Sequence, residues 1–391
     1  MKKKTRKILF LVETDSMTGS GKCALELIQQ FHHNNIHDII VVTQHKNDIN
    51  AYCNQNSIEN YNIHFPLVHS KGENFIAKAI AIAARPVLNF MALRELKKKV
   101  DFSSIAIVHS NTSAIDFGAY LNKKIGIPHT WHFREFSAFN GAFNMIVPDF
   151  IHYADKFSTK IITVSKILSD FLCELGISPN KIEAIYDGIP LYQTTERKIV
   201  QQKNLKIVCV GHIYKQKGQD VIIKAISLLS NNIKDKIHCD FYGPWEKRYK
   251  NEIDRLIQEK GLQKNITFLG PATNIPAILN KYDIGIQPSH AEGFSRVTVE
   301  YMQSKLCVIA AREGAIPELI ENQANGLLYT DYHYDELAQL IEKCFHNREL
   351  ITQLGYQAHI DAINKFCIEK NFINIFNVYE KIHPSKNSSS D

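Results

Sequence analysis

Long apolar runs are what this chain of 391 residues most clearly lacks. No stretch reads as a membrane span, and the basic start Met1–Lys7 leads directly into Ile8–Val12, without the h-region and cleavage site of a signal peptide. A cytoplasmic protein is expected. Cysteine pairs are missing as well. The eight cysteines are scattered, with no C-x-x-C and no Cys/His ligand spacing, which suits reduced thiols rather than disulfides or zinc. Charge of one sign is scarce: a net +6 is too small and dispersed for a nucleic-acid partner, yet compatible with anionic substrates or an anionic membrane surface. Two glycine signatures also fail. In Thr18-Gly19-Ser20-Gly21-Lys22-Cys23 the first glycine of a P-loop would fall at Ser16, and Cys23 replaces the hydroxyl needed on magnesium. The three-glycine dinucleotide spacing is absent, which disfavours a nicotinamide dehydrogenase.

What is present is a repeated alternation of short buried strands and helices. The length suits two domains. Strands are expected at Ile8–Val12, Asp38–Thr43, Ile105–His109, His129–His132 and Ile161–Ser165, and helices between them imply a parallel sheet covered on both faces. The polar residues 191–204 read as a linker. Ile207–Gly211 then restarts the strand–turn–helix theme. The division expected is a first Rossmann-like domain over 1–190 and a second over 205–370. A helix at 371–382 and a disordered polar tail at 383–391 would follow. Residues 75–100 read as one or two helices with a basic end: an ordinary core-packing helix, or a basic amphipathic helix lying on a membrane surface.

The chemistry concentrates at Pro288–Met302, a strand–loop–helix segment with Gly293 at its turn. Glycine there lets a ligand approach the backbone, and the amides of Phe294, Ser295 and Arg296 fall where a helix leaves N–H groups unpaired, a seat for an anion. Glu292 lies in the loop and Glu300 about two turns into the helix, so the two acids can hold separated hydroxyl sets of one extended ligand. Two glutamates eight apart are also what a solvated helix face looks like. The continuation decides: Val308-Ile309-Ala310, then Glu313-Gly314, Pro317-Glu318-Leu319-Ile320 and Asn325-Gly326-Leu327-Leu328.

Over roughly the last half of the chain this order and spacing resembles the retaining nucleotide-sugar glycosyltransferases of the fourth family, whose signature runs P-S-x-x-E-G-F-x-x-x-x-x-E-x-M, V-I-A, P-E-I-I, N-G-L-L. The resemblance implies a GT-B architecture, two Rossmann-like domains with parallel sheets facing across a cleft. It implies that Glu292 positions the hydroxyls of the donor sugar, Glu300 the ribose, and the amides of Gly293, Phe294, Ser295 and Arg296 the charge and sugar. Gly19 and Gly21 would lie under the donor diphosphate, as would the turn Gly211–Asp220. That turn resembles G-R-x-x-x-x-K-G, so Lys217 would hold the diphosphate. His212 stands where an arginine is expected, and Lys215, Arg296 or Arg248 could supply the missing cation. His132 matches a histidine that approaches the donor sugar, and the wording Trp131-His132-Phe133-Arg134-Glu135-Phe136 resembles transferases of capsule and other surface polysaccharides. Arg134 and Glu135 could simply pair with each other. Further departures are Asp187 for a usual Asn, Lys305 and Cys307 for Gly and Pro, and Ala315 for a second Gly.

The function expected is sugar transfer, with retention, from a UDP- or GDP-sugar to a saccharide or lipid-linked acceptor in surface polysaccharide or lipopolysaccharide synthesis. No cofactor and no metal are expected, since no D-x-D pair ends a strand. Peripheral contact with the inner membrane face is a further expectation. A sugar-nucleotide epimerase of the same architecture and an inactive nucleotide-sugar-binding scaffold are the alternatives.

Overall fold

The computed structural model describes residues 7–34, 38–70, 75–136, 144–192, 204–272 and 274–384. Most of the expected linker, 193–203, and the tail from 385 onward lie outside the described residues. Contacts divide the chain into two compact units, Met1–Gly188 with Ile368–Asp391, and Ile189–Cys367.

In the first unit the run Ile8-Leu9-Phe10-Leu11-Val12 has no polar side chain, and such a strand is stable only where both of its faces are covered. It lies within a seven-stranded parallel sheet ordered Glu59–Asn62, Asp38–Thr43, Lys7–Val12, Ile105–Ser110, His129–Phe133, Lys160–Thr163, Ile182–Ala184. Alternate side chains enter separate cores. Ile8, Phe10 and Val12 pack with Leu27, Ile28 and Phe31 of the helix Gly19–Asn34. Leu9 and Leu11 pack with Leu93, Leu96 and Phe117 on the other side. The last helix, Ile368–Ile382, belongs to this unit: Phe372, Ile375, Val378 and Tyr379 complete the core around Phe31.

The second unit repeats the plan with six parallel strands, ordered Ile266–Gly270, Ile237–Tyr242, Leu205–Val210, Ile284–Gln287, Cys307–Ala311, Leu327–Tyr329. In both sheets the first strand sits beside a neighbour far along the chain, so the order reverses there. That is the Rossmann arrangement expected from the alternation of strands and helices.

One expectation needs correction. Residues 75–99 form a single helix despite Pro86, and by length and composition its segment Ile76–Lys99 is apolar enough to cross a membrane. Single basic residues, Lys78 and Arg85, interrupt the run, yet its mean hydropathy still reaches 1.5.

Candidate active site

Open parallel sheets bind ligands beyond the carboxyl ends of their strands, where the strand order reverses. In the second unit that point lies between Leu205–Val210 and Ile284–Gln287, and the loops leaving both strands meet. His290 N donates to Gln216 O at 3.0 Å. Gly218 has left-handed backbone (φ 68°), and a Cβ there would stand 2.2 Å from the Pro288 carbonyl oxygen, so only glycine permits this approach. The contact brings Lys217 to Glu292: Nζ is 2.5 Å from Oε1. Gln287 Nε2 donates to the same oxygen at 2.8 Å. Glu292 is also gripped through its backbone, because Ala315 N donates to its carbonyl at 2.9 Å. Gly314 (φ 52°) makes room for that carbonyl; a Cβ would come within 2.3 Å of it. Burial draws the Lys217 ammonium down, but the Glu292 carboxylate outweighs burial and holds it above the usual lysine range. Lys217 therefore stays charged.

The turn into the helix Arg296–Gln303 is made by Ser295 rather than Gly293: Ser295 is left-handed (φ 60°) and its Oγ accepts from Thr298 N at 3.4 Å. The helix starts later than the sequence suggests, so Glu300 lies little more than one turn inside it, buried, with Tyr192 OH donating to it at 3.3 Å. Phe294 is buried beside Phe366, and Arg296 is half-buried at the helix start. His212 is exposed, its ring 5.0 Å from that of Tyr214, just after Gly211, whose φ is 150°. Of the cations proposed to compensate for it, Lys215 shares the turn with Lys217, whereas Arg248 pairs with Glu252 on its own helix.

In the first unit Gly19 and Gly21 lie in the opening turn of the helix Gly19–Asn34. A Cβ at Gly21 would meet the Asp15 carbonyl at 1.7 Å, so this glycine serves close packing, while Gly19 faces open space. His132 is wholly buried at the carboxyl end of its strand. Arg134 does not pair with Glu135. It forms a buried ion pair with Asp187, donates through Nε to Asn111 O (2.8 Å), and lies through Nη2 3.2 Å from His132 Nδ1. A guanidinium only donates, so Nδ1 accepts and the neutral ring carries its proton on Nε2. Burial, then Arg134 and His109, hold His132 well below the usual imidazole range, so it stays neutral. Its Nε2 is buried without a partner among the described residues. That leaves a buried N–H donor with no acceptor among the described residues.

Three further polar groups stand out, of which the sequence reading weighed Glu135 alone, as a partner for Arg134. Glu13 follows the first strand and accepts from Thr112 Oγ1 at 2.7 Å; burial above all raises its carboxyl to about 7. Glu135 accepts from Ser113 Oγ at 2.7 Å and is raised by burial too. His290 Nδ1 lies 2.6 Å from Asp331 Oδ1 under the stacked ring of Tyr332. A polar residue directly after a buried strand was the available signal for Glu13. Among the described residues no three His, Cys, Asp or Glu side chains converge as a metal site.

Two parallel sheets of Rossmann order, each with polar residues gathered at its carboxyl edge, define the GT-B class of glycosyltransferases. Residues 17–193 match the family described as Glycosyltransferase Family 4, and residues 193–360 that described as Glycosyl transferases group 1. Together the two matches span most of the chain, which is a glycosyltransferase of GT-B type. Among its relatives, an uncharacterized glycosyltransferase of Methanocaldococcus jannaschii is 29% identical, over 73% of this chain and 78% of that protein. The capsular polysaccharide biosynthesis glycosyltransferase CapH of Staphylococcus aureus is 25% identical over 57% of this chain and 62% of its own length. In structure the chain is similar to Anabaena HepE, solved in complex with UDP, with a TM-score of 0.78 at 20% identity, covering 96% of this chain and all of that one.

Proposed function

We propose that the protein is a retaining, metal-independent glycosyltransferase working in the cytoplasm. It would move a sugar from a UDP- or GDP-sugar to a saccharide or lipid-linked acceptor of a surface polysaccharide or lipopolysaccharide, met at the inner face of the membrane. The observation that carries the reading is the Lys217–Glu292 pair, 2.5 Å apart, on two loops that leave neighbouring strands where the sheet order reverses. The complexes of HepE with UDP and with UDP-glucose, and the role of CapH in capsule synthesis, support the donor and acceptor classes.

In this reading the pair is the resting state. A donor diphosphate draws the Lys217 ammonium from Glu292, which frees the carboxylate to accept from sugar hydroxyls. The bond between the anomeric carbon and the β-phosphate oxygen then breaks, and the acceptor oxygen bonds to that carbon on the same face. The acceptor's proton passes to the departing phosphate oxygen, leaving a nucleoside diphosphate. Lys217 and the opening amides of the helix Arg296–Gln303 stabilise charge growing on the leaving group. Glu300 holds the ribose, and His132 offers its Nε2–H to the sugar.

The test is turnover with UDP- and GDP-sugars, following the anomeric signal of the product by NMR. Glu292→Gln and Lys217→Met should each lower turnover by about 10²- to 10³-fold without unfolding the chain. Wild-type rates in both variants would remove the site. An inverted anomer, or activity abolished by EDTA, would overturn retention or metal independence respectively.

A further inference from the structure

The helix Phe75–Lys99 presents an apolar stripe outward. Its inward face is fixed by Ala92, Leu93 and Leu96 in the core with Leu9, Leu11 and Phe117, and by Arg85, which is ion-paired to Asp116 and donates to Leu67 O. Directly opposite, at helical spacings of three and four, stand Ile76, Ile80, Val87 and Met91 with Phe90 at the edge, then Arg94 and Lys98. Ile76 is 65% exposed, Ile80 63%, Val87 59%, Phe90 57% and Met91 60%. Surface helices of globular proteins place such residues inward. Here the polarity is reversed over four turns.

We propose that this stripe docks on an anionic lipid bilayer, lying in the plane of the interface. Charge complementarity selects that occupant. The helix carries Lys78, Arg85, Arg94, Lys97, Lys98 and Lys99 against one acid, Glu95, which is paired to Lys99. Arg94, Lys97 and Lys98, which pair with no acid among the described residues, gather at the end of the stripe, where a bilayer's headgroup charge meets them while Ile80, Val87 and Met91 enter the acyl boundary. The buried anchors at Arg85, Leu93 and Leu96 keep the helix on its unit, so it lies on the membrane rather than crossing it. The inference rests on the proposed membrane-side acceptor only for its use; lipid binding needs no sugar donor.

The experiment is sedimentation of the full chain with vesicles of phosphatidylcholine, with and without phosphatidylglycerol, alongside turnover on a soluble acceptor and analytical ultracentrifugation without lipid. The chain should bind the anionic vesicles and be released by salt. Lys97→Gln/Lys98→Gln should weaken binding by about fivefold per lysine. Ile80→Asp/Val87→Asp should abolish binding and leave soluble turnover and the melting midpoint unchanged, because both side chains are exposed. Failure of wild type to bind anionic vesicles, or undiminished binding by Ile80→Asp/Val87→Asp, overturns the proposal. So does a dimer without lipid that those substitutions dissociate, since a second copy would then cover the stripe. Loss of turnover in Glu292→Gln with vesicle binding intact leaves the docking surface standing, which separates the two readings.

Discussion

Gly218→Ala tests whether the close contact of two loops is what holds the site. The alanine must keep left-handed backbone (φ 68°), which costs about 1–2 kcal/mol. Its Cβ would also stand 2.2 Å from the Pro288 carbonyl oxygen, where real contacts do not fall below 3.0 Å, so the two loops must part by at least 0.8 Å. The opposing atom belongs to backbone, and no rotamer change relieves it. Parting the loops draws Lys217 from Glu292 and moves both from any bound donor, and a misplacement of about 1 Å lowers turnover roughly 10²-fold. The conformational cost alone should lower the melting midpoint by about 1–2 °C in a chain of this size. Gly314→Ala strains the same loop from the other side, through Glu292 O at 2.3 Å. Because both substitutions displace one loop, their effects on turnover should add to less than the sum. Measured kcat together with differential scanning calorimetry decides. Wild-type turnover and midpoint in Gly218→Ala would refute the argument that this contact positions the pair.

Asp187→Asn leaves the Arg134 guanidinium charged and buried without its counterion, and should destabilise the protein by about 3–5 kcal/mol in urea titrations. The Glu13 carboxyl, raised to about 7 from 4.5, holds its proton in the folded state where the unfolded chain has already lost it. The Glu13 contribution to stability should therefore fall as pH rises through that window, by about 3 kcal/mol, opposing the rise given by the buried neutral His109, His129 and His132. Glu13→Gln should remove that fall, leaving the share contributed by Glu135, which is raised in the same direction. An unchanged slope in Glu13→Gln would count against a buried, protonated Glu13.

Much of the architecture was legible because its signals are local. Runs such as Ile8–Val12 and Cys307–Ala311 are apolar on both sides, which only a covered parallel strand satisfies, and the spacing Pro288–Met302 set Glu292 and Glu300 on one strand–loop–helix segment. What escaped depends on residues distant in sequence. Asp187 stands where Asn is usual, and its partner Arg134 lies 53 residues away in sequence, whereas adjacency points to Glu135. Gly293 drew the eye at the turn, yet Ser295 takes the left-handed backbone because its hydroxyl caps the helix that follows. Likewise, nothing local marks Gly314 as the residue that leaves room for the Glu292 carbonyl. Its partner lies on another loop, and only the folded backbone brings the two within reach.

The return of the helix Ile368–Ile382 to the first unit bears on the order of assembly during synthesis. Phe372, Ile375, Val378 and Tyr379 leave the ribosome after the whole of the second unit, yet they fill the core around Phe31, and Tyr379 OH meets His109 Nδ1 at 2.8 Å. The second unit, Ile189–Cys367, is complete before them, its ends joined by the bridge between Ile189 and Cys367. The half made first must therefore wait, part-open and with apolar surface bare, for the half made second to emerge. A chain stopped short of Ile368 would leave that surface exposed for good, a target for chaperones and proteases rather than an enzyme.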